Sequence, residues 1–266
     1  MAMRILVCIK QIIDPEISSQ IFQIDRNAKR AVQKDVALVM NPYDENAIEV
    51  ALQLKDHHKE INVAVLTLGE EFSDKALRRA LSMGCDEAFW LKDPQWEGLD
   101  SLGMAQVIAK GIRKVGNIDL VLCGRQAGDW DMGQVGFFIA EHLSWACANL
   151  VFKMDLQGPK LILRREVERG VEIHEASPPL LANITSASTN QPRYPTAKGI
   201  MTASRKKITT WSAPDLEISQ QISRRITIED LVLPDFSREL KIIEGEDGAE
   251  KARNLMRHLK EMKIIK

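Results

Sequence analysis

Hydrophobic positions in the first half of the chain switch repeatedly between two periods. Ile5-Leu6-Val7-Cys8-Ile9 is an unbroken apolar run, the pattern of a strand covered on both faces. Residues 42–55 place Tyr43, Ala47, Val50, Ala51 and Leu54 on one helical stripe. Asn41 is placed to cap that helix, Pro42 suits its first position, and Asp44 and Glu45 suit the positive end of its dipole. Ile61 to Leu68 reads as a strand, 72–83 as a helix ended by Gly84, and Glu87 to Leu91 as a short strand. A helix over 101–115 ends near Gly116, Ile118 to Cys123 is another buried strand, and a helix over about 131–144 follows. Strands alternating with helices of this length predict an α/β fold with a parallel sheet and crossover helices.

The rhythm then changes. Lys160 to Arg165 and Val171 to Ala176 flank Glu168-Arg169-Gly170 as a β-hairpin, and Leu180 to Ile184 is a further strand. Residues 185–200 are rich in Ser, Thr, Asn, Gln and Pro and read as a long surface loop, a kind that usually carries function. Residues 213–245 hold Pro214 and Pro234 and little periodicity. A last helix over 247–263 puts Ala252, Leu255, Met256, Leu259 and Met262 on one face. That stripe needs a surface to cover it, either its own domain or a partner subunit.

Composition narrows the class. With 36 Lys and Arg against 37 Asp and Glu, the net charge of −1 argues against a nucleic-acid binder, which needs surplus cations for phosphates. Aromatic residues make up only 5 %, so a platform for stacking bases is not expected either. No apolar stretch approaches the ~18 residues of a spanning helix, so membrane insertion is not expected. The start, Met1-Ala2-Met3-Arg4, opens no signal-peptide pattern. Cys8, Cys85, Cys123 and Cys147 are scattered and read as small buried hydrophobes in a reduced, cytoplasmic setting. The five histidines lack zinc-ligand spacing, and no metal site is expected.

One segment stands out for chemistry: Cys123-Gly124-Arg125-Gln126-Ala127-Gly128-Asp129-Trp130-Asp131-Met132-Gly133-Gln134-Val135-Gly136. It follows a buried strand and opens a helix, where open parallel sheets bind ligands. Asp131 is expected to cap that helix and Gln134 to complete a capping box. Gly133 and Gly136 then fall in the first turn and either bare its N–H groups for a phosphate or allow close helix–strand packing. Neither a Gly-x-Gly-x-x-Gly fingerprint nor a P-loop is present. Asp129 and Asp131 could serve acid/base work or magnesium; their place at a helix start favours capping and ribose hydrogen bonding. No catalytic residue is expected.

Taken together, these residues resemble the β subunit of electron-transfer flavoproteins, from Arg4 to about Trp211. The opening Ile5 to Gln11, the helix start Asn41-Pro42-Tyr43-Asp44-Glu45-Asn46-Ala47, and Arg79 to Gly84 contribute. Gly124-Arg125-Gln126-Ala127 through Gly136 and Pro192-Arg193-Tyr194 are the most specific parts. The resemblance implies a domain similar to adenine-nucleotide α hydrolases over 1–212, including a recognition loop at 185–200. It implies an arm over 213–266 that docks on a partner subunit. It also implies AMP held structurally by Cys8, Asn41, Pro42, Tyr43, Asp44, Leu68, Gln126, Ala127, Asp129, Asp131, Met132, Gly133, Gln134, Val135 and Gly136. The partner would be an α subunit holding FAD, in a heterodimer that carries electrons from acyl-CoA dehydrogenases to a membrane quinone oxidoreductase.

Three departures from the family pattern matter. Ile13-Asp14-Pro15 matches the loop that approaches the flavin of α, but Pro15 stands where many relatives have an aromatic. Ala197 stands where a leucine commonly anchors the dehydrogenase. Trp130 stands between Asp129 and Asp131, where members that split electron pairs, with a second FAD in β, commonly have glycine. That electron-bifurcating form is one alternative. An ATP-dependent α hydrolase-type enzyme is another, although its Ser-Gly-Gly-x-Asp-Ser loop is absent, and a stand-alone nucleotide-binding stress protein is a third.

Overall fold

The structure, a computed structural model, describes residues 3–69, 74–233 and 240–265. The expected contribution of Pro234 and the first residues of the helix expected from 72 lie outside the described residues. In chain order the elements begin with β1 (Arg4–Ile9), β2 (Gln11–Ile13), β3 (Ile24–Asp25), β4 (Arg30–Ala31) and β5 (Leu38–Met40). Then come α1 (Pro42–His57), β6 (Asn62–Leu68), α2 (Asp74–Met83), β7 (Glu87–Leu91), α3 (Ser101–Val115), β8 (Leu120–Gly124) and α4 (Val135–Leu143). The rest are β9 (Ala146–Gln157), β10 (Lys160–Val167), β11 (Gly170–Ala176), β12 (Leu180–Ile184), α5 (Ala197–Arg205), β13 (Ile208–Trp211) and α6 (Gly248–Glu261).

Nine strands form one sheet in the order β11-β10-β9-β12-β8-β1-β6-β7-β13. All pairs from β9–β12 to β7–β13 are parallel, and β10 is antiparallel to both of its neighbours, β9 and β11. This is the α/β class expected from the alternation, and the hairpin is β10–β11. The continuous apolar runs are explained by cover on both faces. Ile5, Val7, Val65 and Leu122 pack beneath α1 and α2, while Leu6, Cys8, Leu66 and Val121 pack beneath α3 and α4. Each fully buried Leu or Ile among them contributes about 1.5–3 kcal/mol.

Helix ends follow local chemistry. Asp100 caps α3 by accepting the Gly103 N–H at 2.8 Å, and Gly116 ends it with φ of 70°. Two expectations about helix starts fail. Asn41 stands at the N-cap of α1 but makes no capping bond, because its amide is engaged elsewhere. The helix expected from 131 begins at Val135: Asp131 has φ of 49° and cannot cap it, and Gln134 is its N-cap without a side-chain bond. Gly133, with φ of 61°, belongs to the preceding turn rather than to the helix.

The expected long loop at 185–200 is also shorter than its composition implies. A 3₁₀ turn occupies Ser188–Asn190, and α5 starts at Ala197. Residues 213–229 belong with the sheet: the chain divides into a unit over Met1–Glu229 and a second over Asp230–Lys266. Within the first, Asp100 accepts the N–H groups of Arg225 at 2.5 Å and Ile226 at 3.0 Å, holding this stretch beside α3. Within the second, Asp247 caps α6, and Asn254 donates to the Glu244 carbonyl at 2.9 Å. Leu255, Met256 and Met262 on α6 are exposed. No helix among the described residues is long and apolar enough to cross a membrane.

Candidate functional site

The sheet order places β8 and β6 on opposite sides of β1: the chain runs outward from β1 to β6 and β7, and the crossover through α3 then returns to β8 on the other side of β1. That is a topological switch point, and in open α/β sheets the ligand crevice lies at such a point, here beyond the carboxyl ends of β1 and β8. Cys8 and Cys123 are register partners at those ends. Hydrogen bonding to Cys8, then burial, holds the Cys123 thiol well above its ordinary range, so it stays a neutral wall of the crevice.

The floor is the first turn of α1. Asp44 is buried; its Oδ2 accepts the Lys10 N–H at 2.7 Å and its Oδ1 the Gly124 N–H at 3.1 Å. Burial pushes its carboxyl up to about 7, against the opposing pull of the Lys10 N–H, the Asn41 amide and the Gly124 N–H. Asn41 donates from Nδ2 to the Gln126 carbonyl at 2.9 Å and accepts the Gly128 N–H at 3.2 Å. The amide expected to cap a helix instead ties the next loop down.

That loop, 124–134, covers the crevice. Lys10 Nζ reaches Asp129 Oδ2 at 2.6 Å, and Gln126 Nε2 donates to Asp131 Oδ1 at 2.8 Å. Arg125 stacks over the Tyr43 ring at 4.8 Å and donates to its hydroxyl at 3.3 Å. Gly128 faces Pro15 and Ile12, so the loop at 13–15 adjoins the crevice. Trp130 is 47 % exposed and Met132 46 %.

The two glycines that most constrain the site do so by packing. A Cβ on Gly124 would lie 2.4 Å from Asp44 Oδ1 and 2.8 Å from the Tyr43 backbone. One on Gly136 would lie 1.9 Å from Asn183 Oδ1. Of the two roles open to Gly136, close helix–strand approach is the one the geometry requires. Cys8, Asn41 to Asp44 and Gln126 to Asp131 are therefore brought together, Leu68 ends the neighbouring β6, and Gln134 to Gly136 open α4. Lys10, Arg125 and Asn183 went unmarked as site residues by sequence reasoning; only Arg125, inside the glycine-rich segment, carried a signal.

Two open concavities lie elsewhere. One of about 480 Å³ is lined by Lys198, Met201, Thr202, Arg205 and Lys206 on α5. Another of about 380 Å³ lies between α3 and residues 217–225. Neither gathers the buried carboxylate and helix starts found at the switch point.

A second polar assembly lies on α1, one to three turns from the crevice. Glu49 is buried and receives Arg193 at 2.8 Å from Nε and 2.9 Å from Nη2, and Arg193 Nη2 also reaches Asp56 at 2.8 Å. These hydrogen bonds, that to Glu49 first, raise the guanidinium pKa further. Asn46 donates to the Asn190 carbonyl at 3.0 Å and Gln53 to that of Thr189 at 2.8 Å. Residues 187–193 are thus pinned to α1. Beyond them Tyr194 is 88 % exposed, and α5 is fixed to α2 by the close approach of Gly199 to the Ser82 carbonyl.

The fold is a doubly wound α/β domain with a topological switch point between β1 and β8. Comparison with known proteins resolves the class further: residues 30–216 match the electron transfer flavoprotein domain. The chain is 36 % identical over 267 residues to the caffeyl-CoA reductase–Etf complex subunit CarD of Acetobacterium woodii, covering 99 % of this chain and all of that protein. It is 38 % identical to the electron transfer flavoprotein subunit beta of Thermoanaerobacterium thermosaccharolyticum, over 82 % of each chain. Protein FixA of Azorhizobium caulinodans is 35 % identical over 80 % of this chain and 76 % of its own. The chain belongs to the electron transfer flavoprotein family, as a β-type subunit.

Proposed function

We propose that the chain binds an adenine nucleotide at the β1–β8 switch point and works as the electron-carrying partner of an FAD-holding α subunit. The observation that carries this is the loop 124–134, tied to the start of α1 through Asn41 and Asp44 and to the end of β1 through Lys10, and leading into α4. The first-turn N–H groups of a helix are free for an anion, and a Cβ at Gly133 would make only ordinary contacts, with the Arg125 carbonyl at 3.4 Å and Gln126 at 3.9 Å. A nucleoside monophosphate fits these donors: phosphate at Gln134 to Gly136, ribose within reach of Asp129 or Asp131. In this reading AMP is structural, and the flavin of α supplies the one- and two-electron chemistry. This chain's residues hold the nucleotide and present the loop at 13–15 beside it.

A donor dehydrogenase docks on α5 in this reading. Gly199 and Ala203 face inward, so Ala197, Ile200 and Met201 share the outward stripe, with Lys198 and Arg205 beside it. Acyl-CoA dehydrogenases are the donors and a quinone oxidoreductase the acceptor.

A second reading has support of its own. Trp130 is 47 % exposed, so about half of its indole faces solvent rather than the loop. The relative matched end to end belongs to a reductase complex. A second FAD in place of AMP, and electron bifurcation, is that reading. Co-expression with the α subunit tests a flavoprotein subunit of either kind against the ATP-hydrolysing enzyme and the stand-alone stress protein, and the nucleotides released on denaturation separate AMP from a second FAD. A yellow 1:1 heterodimer is expected. A colourless protein that hydrolyses ATP, or a colourless homodimer, would overturn it.

A further inference from the structure

We propose that Asp44 is a positioning residue for the nucleotide loop: as a carboxylate it latches the end of β1 to the end of β8 and so holds residues 124–131 over the crevice, without itself touching the nucleotide. The proposal rests on the reading of this crevice as a nucleotide site. Both carboxylate oxygens are occupied by backbone N–H groups, Lys10 at 2.7 Å and Gly124 at 3.1 Å, one from each strand that borders the switch point. The carboxylate also occupies the volume that a side chain at position 124 would need, 2.4 Å from its Cβ. Asp44, together with Tyr43 at 2.8 Å, therefore requires a glycine at position 124. At 5 % exposure the carboxylate has little surface left to offer a ligand.

The latch depends on charge. Hydrogen bonds to an ionised acceptor are the strong kind. A protonated carboxyl turns one oxygen into a donor while two N–H groups still face it. Burial places that change near neutrality, at about 7. The surrounding groups are accounted for. Lys10 comes from the end of β1 and is paired with Asp129 of the loop. Cys123 of β8 keeps its proton. Arg125 is stacked on Tyr43, and Asn41 is bound to Gln126 and Gly128. The loop is expected to hold its ligand tightly above pH 7 and to loosen below it.

The test uses the full chain assembled with its α subunit and labelled AMP as the probe, with exchange rates followed from pH 6 to pH 8. The phosphate of AMP titrates near pH 6 itself, so the decisive quantity is the ratio of wild type to Asp44→Asn at each pH. Loss of one charge-assisted bond corresponds to roughly tenfold in rate. The wild type is expected to exchange about tenfold more slowly than the variant at pH 8 and at nearly the same rate at pH 6. A ratio that does not change with pH overturns the proposal. Amide hydrogen exchange in the wild type keeps the question open to an answer if the variant fails to assemble. Protection of the Lys10 and Gly124 N–H groups, corrected for intrinsic rates, is expected to fall between pH 8 and pH 6. Unchanged protection overturns the latch. Failure of AMP to bind at any pH would instead overturn the nucleotide reading, and the amide measurement would still judge Asp44.

Discussion

Gly136 could be read from its spacing in two ways, as a bare approach to phosphate or as a packing contact, and only Asn183 decides between them. Asn183 lies 47 residues away on β12, with its Oδ1 buried, unpartnered and against Gly136 Cα. No periodicity in the chain announces that contact. Gly136→Ala is expected to destabilise the subunit by about 1–3 kcal/mol through overpacking, and Gly136→Val by more, with nucleotide loss following from the displaced helix. Asn183→Ala in the same chain should recover part of the loss. A double-mutant cycle in urea measures it, and additive effects would refute the contact. Asp44 makes a second residue-level prediction. Its folded pKa is raised above the unfolded value, so the folded state binds more protons between about pH 4 and pH 7. Its contribution to stability is therefore largest at low pH and declines as pH rises through that window, levelling off above it. The urea midpoint of the wild type minus that of Asp44→Asn, plotted against pH, should show that slope.

Elements built on apolar periodicity were legible, and those built on polar contacts were not. The apolar stripe of α1 announced the helix, whereas Asn46, Glu49, Gln53 and Asp56, at i, i+3, i+7 and i+10, form a polar stripe whose partners are remote. The segment they hold reads as a long surface loop because its residues are Ser, Thr, Asn, Gln and Pro; Asn190 among them is in fact fully buried and donates to the Phe152 and Thr185 carbonyls. α5 was missed because Gly199 sits inside it, a helix-weakening residue retained for the 2.5 Å approach its Cβ would make to Ser82. Glu49→Gln removes the charge opposite Arg193 and should free residues 187–193. Limited proteolysis is expected to cut there in the variant and spare the wild type, and equal resistance would show that the clamp is unimportant. On the outward stripe, Met201→Asp should lower the rate of reduction by the donor dehydrogenase at least several-fold with unchanged thermal stability, because an apolar contact worth ~25 cal/mol per Å² is replaced by a charge. With Ala197 in place of the larger anchor, poor reduction by a generic medium-chain acyl-CoA dehydrogenase is also expected. Steady-state kinetics with both donors check the pair of predictions.

On the scale of the whole molecule, alternation announced a parallel sheet but could not order it. The order is set by the crossover from β7 through α3 back past β1 to β8, and that reversal, rather than any motif, creates the switch point. The arm is a separate matter. Asp230–Lys266 forms its own unit, and α6 has no buried residue within the chain. Removal of 230–266 should leave the circular dichroism of the α/β unit intact and weaken binding to the α subunit. Unchanged affinity would show that the stripe of Leu255, Met256 and Met262 serves something else. The nucleotide itself is the last and most consequential prediction. AMP and FAD share adenosine and one phosphate, and both would use the same loop and the same start of α4, so Gly133, Gln134 and Gly136 do not separate them. The difference lies further out, where a second phosphate and the flavin would extend past Trp130. Trp130, 47 % exposed, stands between Asp129 and Asp131, and the reading of AMP rests on the bulk of its indole occupying that path. Acid denaturation of the heterodimer followed by chromatography counts the nucleotides released. One FAD and one AMP are expected. Two FAD and no AMP would transfer the second flavin to this crevice. In that case Trp130→Gly should leave FAD content unchanged, since an indole that points to solvent takes no room from the ligand.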